Sequence, residues 1–218
     1  MKATKILVGS IMIFALGTSP AIADEAKPFG FKMGMSEKEI LEALKNANAG
    51  AIKADPTLII SRSAVIPLKG YSSYLYVFTK KSGLCKISAL SENFSSGLKL
   101  RQEYDTIKNN LITKYGKPAV TFDSDNRTDT SKDILDAMKN GEINLATSWG
   151  ETVKRHPDGS FYFESIAPLP KNLKAVVLNA SAENNRLGGS SGSVAITYKF
   201  ANESECLSEI TGSTFNAL

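Results

Sequence analysis

Apolar positions at helical spacing predict a helix early in the chain. The apolar residues after position 36 recur at intervals that place them on one helix face: Ile40, Leu41, Leu44 and Ala47. Ser36 precedes this stripe and Glu39 follows three positions later, which is the spacing of a capping box. Gly50 is a suitable stop. We therefore expect a helix that begins directly after Ser36.

A second and longer helix is predicted over residues 98–115. Its apolar positions are spaced by four, three, four and four residues: Leu100, Tyr104, Ile107, Leu111 and Tyr115. Gly116 suits the left-handed position that ends many helices, and Pro118 cannot continue one. The end of this helix is therefore marked as clearly as its middle.

The strands are indicated by alternation with a period of two. "YLYVFT" and "LCKISAL" are separated by residues 80–83, which is the spacing of a β-hairpin. Further strands are predicted at "TLIIS", "AVIPL", "INLATSWG", "SFYFESI", "LKAVVLNA" and "SVAITYKF". No internal repeat is evident. The order of elements predicts an α+β fold, with an antiparallel sheet packed against two main helices.

Residues 121–141 interrupt this simple order. "TFDSDNRTDTS" is polar and rich in turn-forming residues, and "SKDILDAMKNG" has the pattern of a short helix. We interpret the segment as a helical insertion or flap. Residues 181–192 are interpreted as a long, glycine-rich connection between the last two strands.

The first 23 residues have the pattern of a removable export signal. Lys2 and Lys5 precede an apolar run of about a dozen residues, and small residues lead up to Ala23. We expect cleavage after Ala23, which leaves a single domain over residues 24–218 in the periplasm or the medium. The mature chain would begin at Asp24 without a lipid-bearing cysteine, so no membrane anchor is expected.

The chain has two cysteines, Cys85 and Cys206. An even number of cysteines in an oxidising compartment favours a disulfide over two reactive thiols. The alternation of "LCKISAL" places Cys85 on the core side of its strand. A Cys85–Cys206 disulfide is therefore predicted.

The charges argue against a nucleic acid partner. The 26 basic and 22 acidic residues are scattered rather than grouped in a stripe. Aromatic side chains are the residues best suited to anchor a protein partner. Alternation assigns most of them to the core, including Tyr71, Tyr74 and Tyr76, whereas Tyr162 in "FYF" is expected on the surface. Tyr162 and Trp149 are therefore the candidate partner-binding residues.

No catalytic constellation is evident. His156 is the only histidine, and a hydrolase in which it activates Ser160 or Cys85 is conceivable, but the chain has no "GxSxG" turn. A zinc site usually takes several ligands from cysteine and histidine, and this chain has only two cysteines and one histidine. We expect no catalytic residue, no metal and no cofactor.

The alternating acids in "DSDNRTD" invite comparison with a calcium loop. Asp123, Asp125 and Asp129 occupy alternate positions. However, Arg127 stands at a ligand position, and Ile134 stands where the bidentate glutamate belongs. A solvated acidic loop is the preferred interpretation.

Three segments together resemble small exported bacterial envelope proteins: "FGFKMGMSEKEI", "YLYVFTKKSGLCKI" and "YDTIKNNLITKYGKP". The similar families are the small lipoproteins of outer-membrane assembly and the β-lactamase-inhibitor proteins. The resemblance implies a unit of helices and sheet that binds other proteins. It carries no family contact residue to a position of this chain.

These observations favour an exported, non-enzymatic binding protein that recognises a protein or envelope component through its sheet. One alternative is an inhibitor or immunity-type protein that acts on a secreted enzyme. Another is an exported hydrolase with an unrecognised site. The sequence sets no oligomeric state.

Overall fold

The computed structural model describes residues 25–125, 133–155, 161–165, 169–185 and 189–215. The side chains of 151–155, 161–165 and 213–215 are not part of this description. The helices are α1 (Glu37–Asn46), α2 (Gly97–Tyr115), α3 (Ile134–Lys139) and α4 (Glu203–Phe215). The strands are β1 (Ile52–Asp55), β2 (Leu58–Ser61), β3 (Tyr71–Thr79), β4 (Gly83–Ser91), β5 (Val120–Asp125), β6 (Ile143–Trp149), β7 (Glu151–Arg155), β8 (Phe161–Ser165), β9 (Leu173–Asn184) and β10 (Ser190–Phe200).

Eight of these strands form one antiparallel sheet, in the order β1-β2-β3-β4-β10-β9-β6-β5. The strands β7 and β8 pair with each other in a separate ribbon. The sheet has two halves of similar order, because each consists of a helix followed by a four-stranded meander. In the first half α1 precedes β1 to β4, and in the second half α2 precedes β5, β6, β9 and β10. The last strands of the two halves, β4 and β10, pair antiparallel at the centre. This repeat in structure has no visible counterpart in the sequence.

The helices α2 and α3 pack on one face of this sheet. The helix α2 contacts β6, β9 and β10, and α3 contacts the same three strands. The hydroxyl groups of Tyr104 in α2 and Thr147 in β6 are hydrogen bonded at 2.7 Å. Ile40 and Leu44 of α1 belong to the same buried cluster. The predicted α+β class is therefore confirmed.

The helix α1 begins directly after Ser36 as predicted, but it ends at Asn46, four residues before the expected stop at Gly50. The Ser36 side chain accepts a hydrogen bond from the Glu39 backbone N–H, and the Glu39 carboxylate accepts one from Ser36 N–H at 2.8 Å. Gly116 ends α2 at a φ of 78°, a conformation that glycine adopts at little cost. The hairpin of β3 and β4 is also confirmed.

The disulfide is present as predicted. The sulfur atoms of Cys85 and Cys206 are 2.07 Å apart, and the bond closes a separation of 121 residues. Both cysteines are buried. The bond attaches α4, which the apolar periodicity did not predict, to strand β4.

The interpretation of 121–141 as an insertion is wrong. Its first part is β5, an edge strand of the main sheet, and its second part is α3, whose Leu135 and Ala137 are buried in the core. The strand looked like a polar loop because its core-side position holds Asp123 rather than an apolar residue. That carboxylate pairs with Arg101 at 2.9 Å and Lys108 at 3.0 Å, both on α2.

The expected loop over 181–192 is also mostly strand. The strand β9 continues to Asn184 and β10 begins at Ser190, and Ser181 pairs with Ser193 inside the ladder. Backbone pairing requires no apolar side chains, so the polar composition was misleading. Gly192 is needed there, because a Cβ atom would lie 2.8 Å from the Leu135 side chain. The prediction of a strand at "AVIPL" is wrong as well, since this segment has no strand structure.

Candidate functional site

The second face of the sheet lies opposite the face on which α2 and α3 pack. Side chains on this face are half-buried, and they alternate with the fully buried residues that face the helices. The central row of this face consists of residues opposite one another in β3, β4, β10, β9 and β6: Leu75, Ser88, Thr197, Val177 and Ser148. The adjacent row consists of Ser73, Leu90, Ala195, Asn179 and Ala146. We call these two rows the open face.

The open face is uncharged and built from small or aliphatic side chains. Four strand spacings of about 4.8 Å give each row a width of roughly 19 Å. At its centre the hydroxyl groups of Ser88 and Thr197 are hydrogen bonded at 2.9 Å. The mixture of hydroxyl and apolar groups offers a partner both hydrogen bonds and apolar contact. No large aromatic side chain projects from the two rows themselves, but the exposed Phe122 of β5 stands opposite Ala146 at their edge.

The two ends of the open face carry opposite charges. Lys86 and Lys199 stand opposite each other in β4 and β10 at one end. Glu203, at the start of the nearby α4, lies 3.7 Å from Lys199. At the other end the chain presents Glu92, which follows β4, and Glu183 near the end of β9. The face is therefore polarised along the direction of its strands.

A cavity of about 500 Å³ lies at the glutamate end. We call it the acidic cavity, and it is lined by five serines together with Leu90, Glu92, Asn93, Glu183 and Gly192. It shares Ser72 and Ser73 with a second cavity of about 460 Å³ that reaches Ile52 and Arg62 at the β1 side.

Trp149 does not belong to any binding surface. Its side chain is fully buried, and the indole N–H donates a hydrogen bond to the Gly116 carbonyl at 2.8 Å. The proposal of Trp149 as a partner contact is therefore wrong. The strand β6 carries it on the helix-facing side, where it packs beside the end of α2. Tyr162 lies in β8 opposite Lys154, and because its side chain is outside the described part, its surface role stays a prediction.

The tyrosines of β3 lie in the core, as alternation predicted. Tyr71, Tyr74 and Tyr76 are all buried. Burial raises the pKa of each phenol above its usual value, because the charged form loses hydration. These hydroxyl groups therefore stay protonated and contribute packing rather than acid–base chemistry.

Of the residues considered for chemistry, the structure describes only Cys85, Asp123 and Asp125. Cys85 forms the disulfide with Cys206, so it offers no free thiol as the nucleophile of a hydrolase. His156 and Ser160 lie outside the described residues. Asp123 is held by two cations of α2, and Asp129 lies outside the described part. Within the described residues, no group of three or more histidine, cysteine or acidic side chains is placed to hold a metal ion.

Among the described residues, no helix combines the length and the apolar character needed to span a membrane. No protein-family model, curated protein or solved structure matches the chain.

Proposed function

We propose that this chain is an exported, non-enzymatic protein that binds another protein through the open face of its sheet. The observation that carries the proposal is the open face itself. Five adjacent strands present two uncharged rows that α2 and α3 leave uncovered. A surface of this width suits a macromolecule, whereas small ligands favour enclosed pockets.

The composition of the open face supports protein binding. Fully buried interface centres are depleted of charged residues, and neither row of the open face contains a charge. The charged residues stand at its two ends, where they can select and orient a partner. The resemblance to exported protein-binding families was the reason for expecting a protein partner.

Export is the second part of the proposal. The disulfide supports it, because such bonds persist in oxidising compartments and are rare in the cytosol. If the leader is removed as proposed, protein purified from the native host will begin at Asp24, and intact-mass analysis will show the loss of residues 1–23. Retention of those residues would contradict the proposed compartment and leave the open face unaffected as a binding surface.

Site-specific crosslinking tests the binding role directly. A photoreactive phenylalanine analogue is placed at Ser88 or Thr197 in the open face, and at the exposed Leu98 of α2 as the control. On irradiation of native host cells, we expect both open-face positions to give a crosslink to the same protein. The Leu98 position should give none to it.

Thr197→Arg is the variant that tests whether the open face is needed for binding. A long charged side chain at the centre of the open face should abolish the crosslink from Ser88, while circular dichroism and thermal unfolding remain close to those of the wild type. If the crosslinks form equally from Leu98, or survive Thr197→Arg, the open face is not the binding surface. A secreted enzyme as the crosslinked protein, inhibited by the purified chain, would identify the inhibitor alternative.

A further inference from the structure

Two carboxylates line the acidic cavity. Glu92 and Glu183 both line it and both are exposed. Among the described residues, neither forms a salt bridge, and no lysine or arginine lines the cavity. The full chain has a formal charge of +4, so this region has the opposite sign to the whole. Walls that carry one sign of charge raise the local concentration of the opposite charge.

The backbone around Glu92 is held in place before any ligand arrives. Its N–H donates to the Gly70 carbonyl at 2.9 Å, and its carbonyl accepts from the Ser91 hydroxyl at 2.8 Å. The Ser91 hydroxyl also accepts from Val194 N–H at 2.9 Å. Two residues later, Phe94 exchanges a pair of backbone hydrogen bonds with Gly192. Glu92 is therefore attached on both sides of its short segment.

Glu183 is fixed in a similar way from the opposite side of the cavity. It lies within β9, where it pairs with Ser191 of β10. Both carboxylates thus project from backbone that is already hydrogen bonded. Binding a cation beside either carboxylate would therefore need little ordering of the main chain, which lowers the cost of binding.

The route into the cavity suits a long basic side chain. Leu90 and Ser73 belong both to the open face and to the cavity lining, so the surface is continuous from the neutral rows to the carboxylates. A lysine or arginine can lay its methylene groups over Leu90 and place its charged end beside Glu92 and Glu183. The serines of the lining offer hydroxyl oxygens that accept further hydrogen bonds.

We propose that the acidic cavity receives a lysine or arginine side chain from a loop of the protein that binds the open face. This inference rests on the proposed function and specifies the chemistry of the partner. The basic end of the face strengthens it, because Lys86 repels the same side chain there, beside the Lys199–Glu203 ion pair. The partner can therefore bind in one direction along the strands and not in the reverse direction.

A display library of disulfide-constrained seven-residue loops is the probe. It is selected against the mature chain, residues 24–218, and the enriched loops are measured against variants. We expect the enriched loops to carry lysine or arginine. Their affinity should fall at least tenfold for Glu92→Gln/Glu183→Gln, and should fall similarly when the basic residue of the loop is replaced by methionine.

Glu42→Gln/Glu205→Gln is the matched control, because it removes two exposed carboxylates from α1 and α4, away from the acidic cavity. It should change the affinity by less than twofold. Circular dichroism of both double variants verifies the fold. Enriched loops without a basic residue, or loops that bind the Glu92→Gln/Glu183→Gln variant as tightly as the wild type, would overturn the inference.

Thr197→Arg separates this inference from the proposed function. If the loops lack basic residues but lose binding in Thr197→Arg, the open face remains the binding surface and only the acidic-cavity inference fails. If Thr197→Arg has no effect on any enriched loop, the proposed function fails as well. Sedimentation of the wild type tests whether the chain pairs with itself through the open face. If the wild type is a dimer and Thr197→Arg is a monomer, a second copy of the chain occupies the open face. That result would overturn the inference.

Discussion

Removal of the Cys85–Cys206 disulfide should lower the free energy of unfolding by about 4 kcal/mol. The bond closes a loop of 121 residues, and a crosslink of that span removes much of the conformational freedom of the unfolded chain, in a model that gives roughly 4 to 5 kcal/mol. We expect the variant Cys85→Ala/Cys206→Ala to fold, because α4 has other attachments. Asn202 donates to the Ser82 carbonyl at 2.8 Å, and Ser82 donates to Glu209.

Urea denaturation followed by circular dichroism measures this loss. The double variant is preferred to either single variant, because a single replacement leaves one reactive thiol. Wild-type protein kept reduced throughout unfolding is the matched control and should lose a similar amount. A loss below about 1 kcal/mol in both samples would mean that the bond is absent in solution or that the unfolded chain is already restricted.

Trp149→Ala is expected to lower the free energy of unfolding by about 3 to 5 kcal/mol. The indole ring is fully buried, so its removal creates a cavity, and the Gly116 carbonyl loses the donor that is now 2.8 Å away. Trp149→Phe should cost less, because a ring still fills most of the space, although the carbonyl remains unpaired.

Thermal and urea unfolding, followed by circular dichroism, checks that Trp149→Ala lowers the free energy of unfolding more than Trp149→Phe does. Phe122→Ala is the control. Phe122 is also an aromatic residue at a β-strand position, but it is 60% exposed on the edge strand β5, so we expect a change within about 0.5 kcal/mol. If Trp149→Ala were as mild as Phe122→Ala, the burial of Trp149 in the core would be wrong, and its role as a partner contact would return.

The elements with strong local signals were predictable. The capping box at Ser36, the glycine stop at Gly116 and the alternation of β3 and β4 are all determined by residues close in sequence. Their energies come from hydrogen bonds and apolar spacing within one element. Cys85 is buried as expected, but the register of β3 and β4 shifts at this residue, so alternation along its strand does not by itself explain the burial.

Elements whose partners are distant in sequence were misinterpreted. The strand β5 has a carboxylate at a core-side position, and only the tertiary contact with Arg101 and Lys108 makes that position favourable. The helix α4 is amphipathic only weakly, and it is attached by a disulfide and side-chain hydrogen bonds rather than by an apolar stripe. A search for apolar periodicity cannot detect attachments of either kind.

The open face was also not predicted, because its residues show only the ordinary alternation of β-strands. Lys86 and Ser88 are the polar positions of "LCKISAL", but nothing local shows that Thr197 stands beside Ser88 in β10 and Val177 beside Thr197 in β9. The signal that could have found the face is the run of small polar and aliphatic residues on one side of both "LCKISAL" and "SVAITYKF". The width of the open face depends on the order of the strands, which the sequence alone did not predict.

The sequence by itself determined the α+β class, the two main helices, the central hairpins and the identity of the cysteine pair, because spacing along one element decides which of its faces is apolar. Only the tertiary structure decided the strand order, the pairing of β4 with β10, the burial of Trp149 and the set of residues that share the open face. These features depend on which distant segments pair, and pairing is settled by the packing of the whole core rather than by any single segment.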